Sequence, residues 1–178
     1  MKKHTIYSPF IALFLFLFIG TATAQNIFYI DLNNRKDDQF HITLIPEKLT
    51  EKNKVFQFAA TAPGTYEIMD IGRFVRSFKA FDNNGNEIPS KQISTNQWEL
   101  ADPVRTVKIE YKMADIVDTP VKEHRIYPMC ATSFEDDHAL INGHCVFGYF
   151  HGMQKTPIKI KLEYPSGWMI GTALDKDN

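Results

Sequence analysis

The residues whose types could do metal chemistry are concentrated in one stretch of the C-terminal half of the chain. They are Cys130, His138, His144, Cys145 and His151. Thiolate and imidazole are ligands that suit zinc. However, no pair forms C-x-x-C or H-x-x-x-H, and adjacent residues such as His144 and Cys145 would point to opposite faces of a strand. We therefore predict no metal site and interpret the histidines as ordinary surface residues.

The sequence also lacks a complete set of catalytic residues. No nucleophile signature surrounds Cys145, and the run Glu135, Asp136 and Asp137 is typical of a solvated loop. Neither the G-x-x-x-x-G-K-[ST] phosphate loop nor the G-x-S-x-G elbow occurs in the chain. The residues alone thus predict no catalytic site and no cofactor in this chain.

The N-terminus has the pattern of a secretory signal peptide. Lys2 and Lys3 precede an apolar stretch, residues 10–19, and Ala22-Thr23-Ala24 forms a small-x-small cleavage site. A membrane anchor is the alternative, but the apolar stretch is well short of the roughly 20 residues that span a bilayer. We predict that residues 1–24 are a signal peptide. The mature protein would then be secreted or periplasmic, with no membrane association after cleavage.

Export bears on the two cysteines, Cys130 and Cys145, because exported thiols commonly oxidise. A disulfide between them is allowed if the fold brings the two residues together.

The mature residues, 25–178, fall within the usual size of one domain. A formal net charge of −1 and a pI of about 6.6 provide no field that would attract nucleic acid or an anionic membrane.

Most of the mature chain has the residue pattern of short β-strands. Apolar and polar residues alternate with the period of a strand that has one buried face. The alternating runs are "NIFYIDL", "FHITLIP", "VFQFAAT", "FVRSFKAFD", "VKIEYKMAD" and "IKIKLEYP". Turn signals separate several of them, including "DNNGNEIP", which predicts a hairpin turn. We predict an all-β fold of two packed antiparallel sheets, a β-sandwich, with a closed barrel as the alternative.

The stretch "APGTYEIMDIGRFVRSF", residues 62–78, departs from the strand pattern. Pro63 and Gly64 indicate a tight turn. After them, apolar residues occur at mixed spacing with charged residues between them. This pattern predicts an irregular or short helical turn that packs against a hydrophobic edge, with Arg73 in solvent.

Several motifs follow one another in a characteristic order along the mature chain. They are "APGTYEIMDIGRFVRSFKAFDNNGNEIP", "NQWEL", "INGHCVFGYF" and "YPSGWMIGTAL". In this order they resemble the N-terminal domain of the glycyl aminopeptidase family of secreted zinc metallopeptidases. The matching positions are Pro63, Gly64, Thr65, Tyr66, Arg73, Asp82, Gly85, Pro165, Gly167, Trp168, Thr172, Ala173 and Leu174.

The resemblance implies that the catalytic site belongs to a separate domain. Family members carry a later thermolysin-like domain, whose H-E-x-x-H motif binds zinc and supplies a general base. This sequence contains no H-E-x-x-H, so zinc is expected in a catalytic domain outside it. The chain would be a fragment of an enzyme or a free-standing copy of its non-catalytic domain. The alternative, unrelated to catalysis, is an exported binding or scaffold domain that docks a partner through its sheet surface.

The resemblance also suggests which residues contact the catalytic domain or a peptide ligand. Tyr66 offers a rigid ring with a hydroxyl, and Arg73 offers a planar fork of donors that can grip a carboxylate. Asn142 and Gly143, in the "ING" turn, could present backbone groups to an extended peptide. A plain hairpin turn is the favoured interpretation of these two residues.

Overall fold

Strands provide most of the regular structure in the computed structural model, which describes residues 25–34, 37–62, 64–65 and 67–176. The strands are β1 Asn26–Asp31, β2 Gln39–Ile45, β3 Val55–Gln57, β4 Val75–Phe81, β5 Glu87–Ile88, β6 Ser90–Ser94, β7 Gln97–Leu100, β8 Lys108–Ala114, β9 Ser133–Phe134, β10 Ala139–Leu140, β11 Tyr149–Phe150 and β12 Ile158–Glu163. Each of the alternating sequence runs contributes a strand.

The strands form two main sheets. One sheet has six strands in the order β12-β1-β2-β8-β4-β5, and the other has four in the order β11-β3-β7-β6. β9 and β10 pair separately. The sheet neighbours are antiparallel except β1 and β12, which run parallel, with Asn26 opposite Ile158. The predicted all-β sandwich is therefore confirmed, with one parallel pair at an edge of the larger sheet.

Aromatic rings join the two sheets across the core. The ring centroid of Phe56, on β3, lies 5.5 Å from that of Phe78, on β4, and 6.0 Å from that of Tyr111, on β8. Phe78 also stacks on Trp98, on β7, at 5.3 Å. Because these rings belong to opposing sheets, they hold the two layers face to face.

The predicted hairpin turn lies between β4 and β5 and is organised by the carboxylate of Asp82. Gly85 has a φ of 80°, which favours glycine. The Asp82 carboxylate accepts hydrogen bonds from the amides of Asn84 and Asn86 and from Arg105 at 2.7 Å. Burial opposes its charge, but these hydrogen bonds hold the pKa of Asp82 below its usual value.

Helical structure among the described residues is confined to short segments. Two 3-10 turns cover Ile71–Phe74 and Pro128–Cys130, and one α-helix, α1, covers Gly143–Val146. The first of these, which we name the Arg73 turn, is the short helical turn that the sequence predicts after the Pro-Gly-Thr-Tyr element. None of the described helices is long and apolar enough to cross a membrane.

Candidate functional site

The Arg73 turn is locked against the connection between β6 and β7. The amide of Gly72 donates to Oδ1 of Asn96 at 2.9 Å, and Nδ2 of Asn96 donates to Oδ1 of Asp70 at 2.7 Å. Asp70 itself has a φ of 47°, in the left-handed region. A Cβ atom on Gly72 would lie 2.1 Å from the carbonyl oxygen of Thr95. The turn can therefore approach this connection so closely only because residue 72 is glycine.

The guanidinium of Arg73 holds a loop that is distant in the sequence. Nη1 donates to the carbonyl oxygen of Glu123 at 2.9 Å, and Nη2 donates to that of His124. The guanidinium carbon lies 4.9 Å from the ring centroid of Phe74. Nε is buried and has no hydrogen-bond partner among the described residues. The donor fork expected to grip a carboxylate thus contacts two carbonyl oxygens of its own chain.

An open cavity lies between the Arg73 turn and the loop that Arg73 holds. Its volume is about 300 Å³, and its lining includes Phe74, Ile116, Val121, Arg125, Ile126 and Pro128. Arg125 is exposed at this cavity, whereas most of the other lining residues are apolar. The cavity could therefore receive an apolar side chain that has a carboxylate beside it.

The predicted contact residue Tyr66 lies outside the described residues. The described residues on either side of it are held by short-range hydrogen bonds. The hydroxyl of Thr65 donates to the carbonyl oxygen of Ala62 at 2.7 Å, and the amide of Met69 donates to that of Ala60 at 2.7 Å. Met69 is buried in the core. These residues are thus anchored immediately before the Arg73 turn.

The prediction of a hairpin turn at Asn142 and Gly143 is wrong. Gly143 begins helix α1, because the amide of Phe147 donates back to the Gly143 carbonyl at 2.9 Å. The side chain of Asn142 donates to the carbonyl oxygen of Ala131 at 2.6 Å. Ala131 also lines the 300 Å³ cavity. Arg73 and Asn142 thus anchor the same segment, residues 115–131, which we name the 115–131 loop, at two separate points.

The cysteines and His144 lie together, but not as the sequence suggests. His144 and Cys145 lie on α1 rather than on a strand, and both contact the carbonyl oxygen of Cys130, at 3.0 and 2.9 Å. Their expected orientation towards opposite faces is therefore wrong. Both cysteines are free thiols in the structure. Burial, and the neighbouring Cys130, raise the pKa of Cys145 to about 12, which makes it a poor nucleophile.

The other histidines of the metal-binding candidates have separate partners. His138 contacts Asp137 at 2.7 Å, and His151 contacts Gln57 at 2.6 Å. Within the described part of the chain, the side chains that could share a metal ion are instead Asp115, Asp118 and Glu135. These are all carboxylates, which suit harder cations than zinc. This group of described donors therefore does not fit the zinc site of a peptidase.

Of the three carboxylates, that of Asp115 is held by the backbone around it. Their oxygens lie within 4.8 Å of one another. The Asp115 carboxylate accepts hydrogen bonds from the amides of Phe134, at 2.6 Å, and Asp118, at 3.1 Å. Burial and then the nearby Asp115 raise the pKa of Asp38. Glu135, expected in a solvated run, is half-buried in this group, whereas Asp136 and Asp137 are exposed.

Comparisons with known proteins agree with the fold and with the motifs. No curated protein sequence matches the chain. The fold is similar to the crystal structure of an aminopeptidase N family protein from Idiomarina loihiensis, with a TM-score of 0.66 and 20% sequence identity. The likeness covers 80% of this chain but only 22% of that one. Residues 28–178 match the model of the peptidase M61 N-terminal domain.

The family match covers nearly all of the chain that follows residue 25, and it includes every motif on which the resemblance rests. The resemblance to the N-terminal domain of glycyl aminopeptidases is thereby confirmed. The chain belongs to the peptidase M61 N-terminal domain family, as the N-terminal domain of a glycyl aminopeptidase-like protein.

Proposed function

We propose that this chain is the non-catalytic β-sandwich of an exported zinc aminopeptidase-like protein. It packs against the catalytic domain and helps to shape the cleft that receives peptide N-termini. The observation that carries the proposal is the family match over residues 28–178. The fold likeness to only 22% of an aminopeptidase N family protein supports it, because much of such a protein lies outside this domain. Export rests on the predicted signal peptide, residues 1–24, which lie outside the described residues.

The chemistry belongs to the catalytic domain in this proposal. A zinc ion bound there would polarise the scissile carbonyl and activate a water molecule. Among the described residues, the candidate ligand group is Asp115, Asp118 and Glu135, and carboxylates suit harder cations than zinc. In this proposal the residues of this chain contribute position rather than reaction. A domain of this kind can limit access to a cleft by placing loops on a rigid scaffold.

The surface that we assign to the cleft is the Arg73 turn with the 115–131 loop. Arg73 donates to Glu123 and His124, and Asn142 donates to Ala131, so the loop is held against the sandwich. Arg73 is therefore a positioning residue, which acts through the loop that it holds. The cavity beside the loop could receive a contact from the catalytic domain or from a peptide. Tyr66, which lies outside the described residues, stays a candidate contact from the sequence.

The test is Arg73→Ala in the complete polypeptide. Loss of hydrogen bonds from a charged group costs about 1.5–3 kcal/mol, so kcat/KM for glycyl and alanyl peptides should fall by roughly 10-fold or more. Arg76→Ala is the matched control, because Arg76 is exposed and makes a single 3.3 Å contact with the Arg73 carbonyl. We expect Arg76→Ala to leave kcat/KM unchanged.

Two results would contradict this role for Arg73. Normal kcat/KM in Arg73→Ala would show that the 115–131 loop does not shape the cleft. Unfolding of the isolated domain by the same substitution would show that Arg73 serves stability instead. Independently, a complete coding sequence without H-E-x-x-H would contradict the peptidase assignment and favour the exported binding domain.

A further inference from the structure

β12 forms the outer edge of the six-stranded sheet and pairs only with β1 among the described strands. The parallel register places Ile160 beside Phe28 and Leu162 beside Ile30. Paired residues of neighbouring strands point to the same face of a sheet. The apolar side chains of β12 therefore belong to the face that carries the core.

The exposed fraction of the side chains on this face rises sharply from β1 to β12. Phe28 and Ile30 are 0% and 1% exposed, whereas Ile158 is 50% exposed. Ile160 and Leu162 are half-buried. The opposing sheet has four strands against six, so it does not extend over the whole core face. The core thus continues onto a strand that nothing in the described part of the chain fully covers.

A groove lies beside the start of β12. It has a volume of about 450 Å³, and its lining includes Asn26, Phe147, Tyr149, Met153, Thr156 and Ile158. Neighbouring Gly148 is in close contact with the core, because a Cβ atom there would lie 2.4 Å from the Phe56 ring. The groove wall is therefore fixed by packing. We name the β12 rim the surface formed by Phe147, Met153, Ile158, Ile160 and Leu162.

The apolar surface continues into the segment that follows β12. Met169 is 95% exposed and Leu174 is 61% exposed, and Tyr164 and Ile170 are also exposed. Single exposed apolar residues are common on protein surfaces. Here, however, they occur along one strand and its direct continuation, together with a groove. Such contiguous exposure is typical of an interaction surface.

We propose that the β12 rim and the exposed segment after it are the surface on which the catalytic domain of the same polypeptide docks. This inference rests on the proposed function. The likeness covers only 22% of the chain of the aminopeptidase N family protein. Most of that chain therefore lies outside this fold. A domain that follows this one in the same polypeptide would be joined to it through the segment after β12, and a covalent link of this kind raises the effective concentration of the two partners.

The structure also indicates how the docking domain would bind. An apolar side chain can fill the groove beside Ile158. The bonds from Asn26 to Pro157 and from Leu32 to Glu163 show that the odd-numbered residues face β1. The outer edge of β12 therefore presents the backbone groups of the even-numbered residues, and a strand of the catalytic domain can pair with such groups. By contrast, β6, which is one of the two outer strands of the smaller sheet, is mainly polar. Its residues are Ser90, Lys91, Gln92, Ile93 and Ser94.

The test compares Ile158→Glu with Ile93→Glu in the complete polypeptide. Both isoleucines lie on edge strands, and their exposed fractions are similar, 50% and 45%. Amide hydrogen exchange of β12 is the measurement. Docking should protect β12 in the wild type, and Ile158→Glu should accelerate its exchange by roughly 10-fold or more, since a buried charge opposes docking. Ile93→Glu should leave β12 protected.

Folding of the sandwich is checked separately. Circular dichroism of the isolated chain should be the same for both variants, because both positions are half exposed. If Ile158→Glu does not fold, Ile158→Ser is the substitute, because it removes the apolar side chain without adding a charge. It should also accelerate amide exchange of β12, but by a smaller factor.

Other outcomes would overturn the inference. Unchanged protection of β12 in Ile158→Glu, in a polypeptide that hydrolyses peptides, would refute this docking surface and leave the proposed function intact. A polypeptide without peptidase activity would contradict the proposed function first. A dimer of the isolated chain that Ile158→Glu dissociates, seen by sedimentation, would assign the rim to a second copy instead.

Discussion

At the scale of single residues, three residues decide the position of Arg73. Asp70 adopts a left-handed conformation, Gly72 lies against the backbone of the β6–β7 connection, and Asn96 bonds to both. The buried Gly72 amide needs the Asn96 acceptor, because an unpaired buried donor is costly. Arg73 therefore reaches the 115–131 loop from a turn whose backbone has little freedom.

Substitution of Gly72 by alanine tests the close contact between the Arg73 turn and the β6–β7 connection. The added Cβ would lie 2.1 Å from a backbone oxygen, so the turn or the β6–β7 connection must shift. We expect the free energy of unfolding to fall by about 1–3 kcal/mol, measured by urea unfolding. Gly171→Ala is the matched control, since no atom lies within 4 Å of its Cβ position. Equal stability of the two variants would show that the turn adapts at no cost.

The sequence identifies Arg73 as a residue to examine but does not identify its partners. Those partners are the carbonyl oxygens of Glu123 and His124, which lie 50 and 51 residues further along the chain. Any residue type can supply a carbonyl oxygen, so no side-chain pattern marks these positions. Gly72 carries a weak local signal, a glycine inside an apolar turn. Its contact with Thr95 requires the folded sheet.

At the scale of elements, alternation predicts the strands because each sheet has one buried and one exposed face. The parallel pairing of β1 with β12 is not predictable in this way. It joins segments far apart in the chain, as the contact between Tyr29 and Lys161 shows, with a separation of 132 residues. Helix α1 spans only Gly143–Val146, which is too short to display a helical period. Its position follows instead from the burial of Cys145 and Val146.

The prediction of a disulfide requires the two cysteines to lie close together. Helix α1 contacts the second 3-10 turn, Pro128–Cys130, and this contact meets the requirement. The structure brings the two cysteines together, with Sγ of Cys145 at 2.9 Å from the carbonyl oxygen of Cys130. The two thiols are free in the structure, but if the protein is exported, as its N-terminus predicts, we expect a Cys130–Cys145 bridge. Such a bridge would contribute about 3 kcal/mol by closing a loop of about 15 residues. Thiol titration of the unfolded, unreduced protein should find no free thiol. The reduced protein is the control, and two thiols before reduction would refute the bridge.

At the scale of the whole molecule, the sandwich presents two surfaces of different character. The Arg73 turn and the 115–131 loop form a surface held by hydrogen bonds, with a cavity beneath it. The β12 rim is an apolar sheet edge with a groove. We propose that the first shapes a cleft and that the second docks a domain. Sequence alternation predicts which residues face the core. It does not show that the core face of the six-stranded sheet extends beyond the four-stranded sheet at β12, because that depends on the widths of both sheets.

The division of labour between domains leads to a last prediction, that this chain alone hydrolyses no peptide, with or without added zinc. A catalytic zinc site needs typically three protein ligands and an open position for water. Among the described residues, His138 and His151 bind separate partners, and the carboxylates that come together are Asp115, Asp118 and Glu135. The measurement is release of amino acid from glycyl and alanyl peptides, with the complete polypeptide as positive control. Zinc-dependent turnover by the isolated chain would show that its histidines and cysteines assemble a site that their contacts here do not suggest.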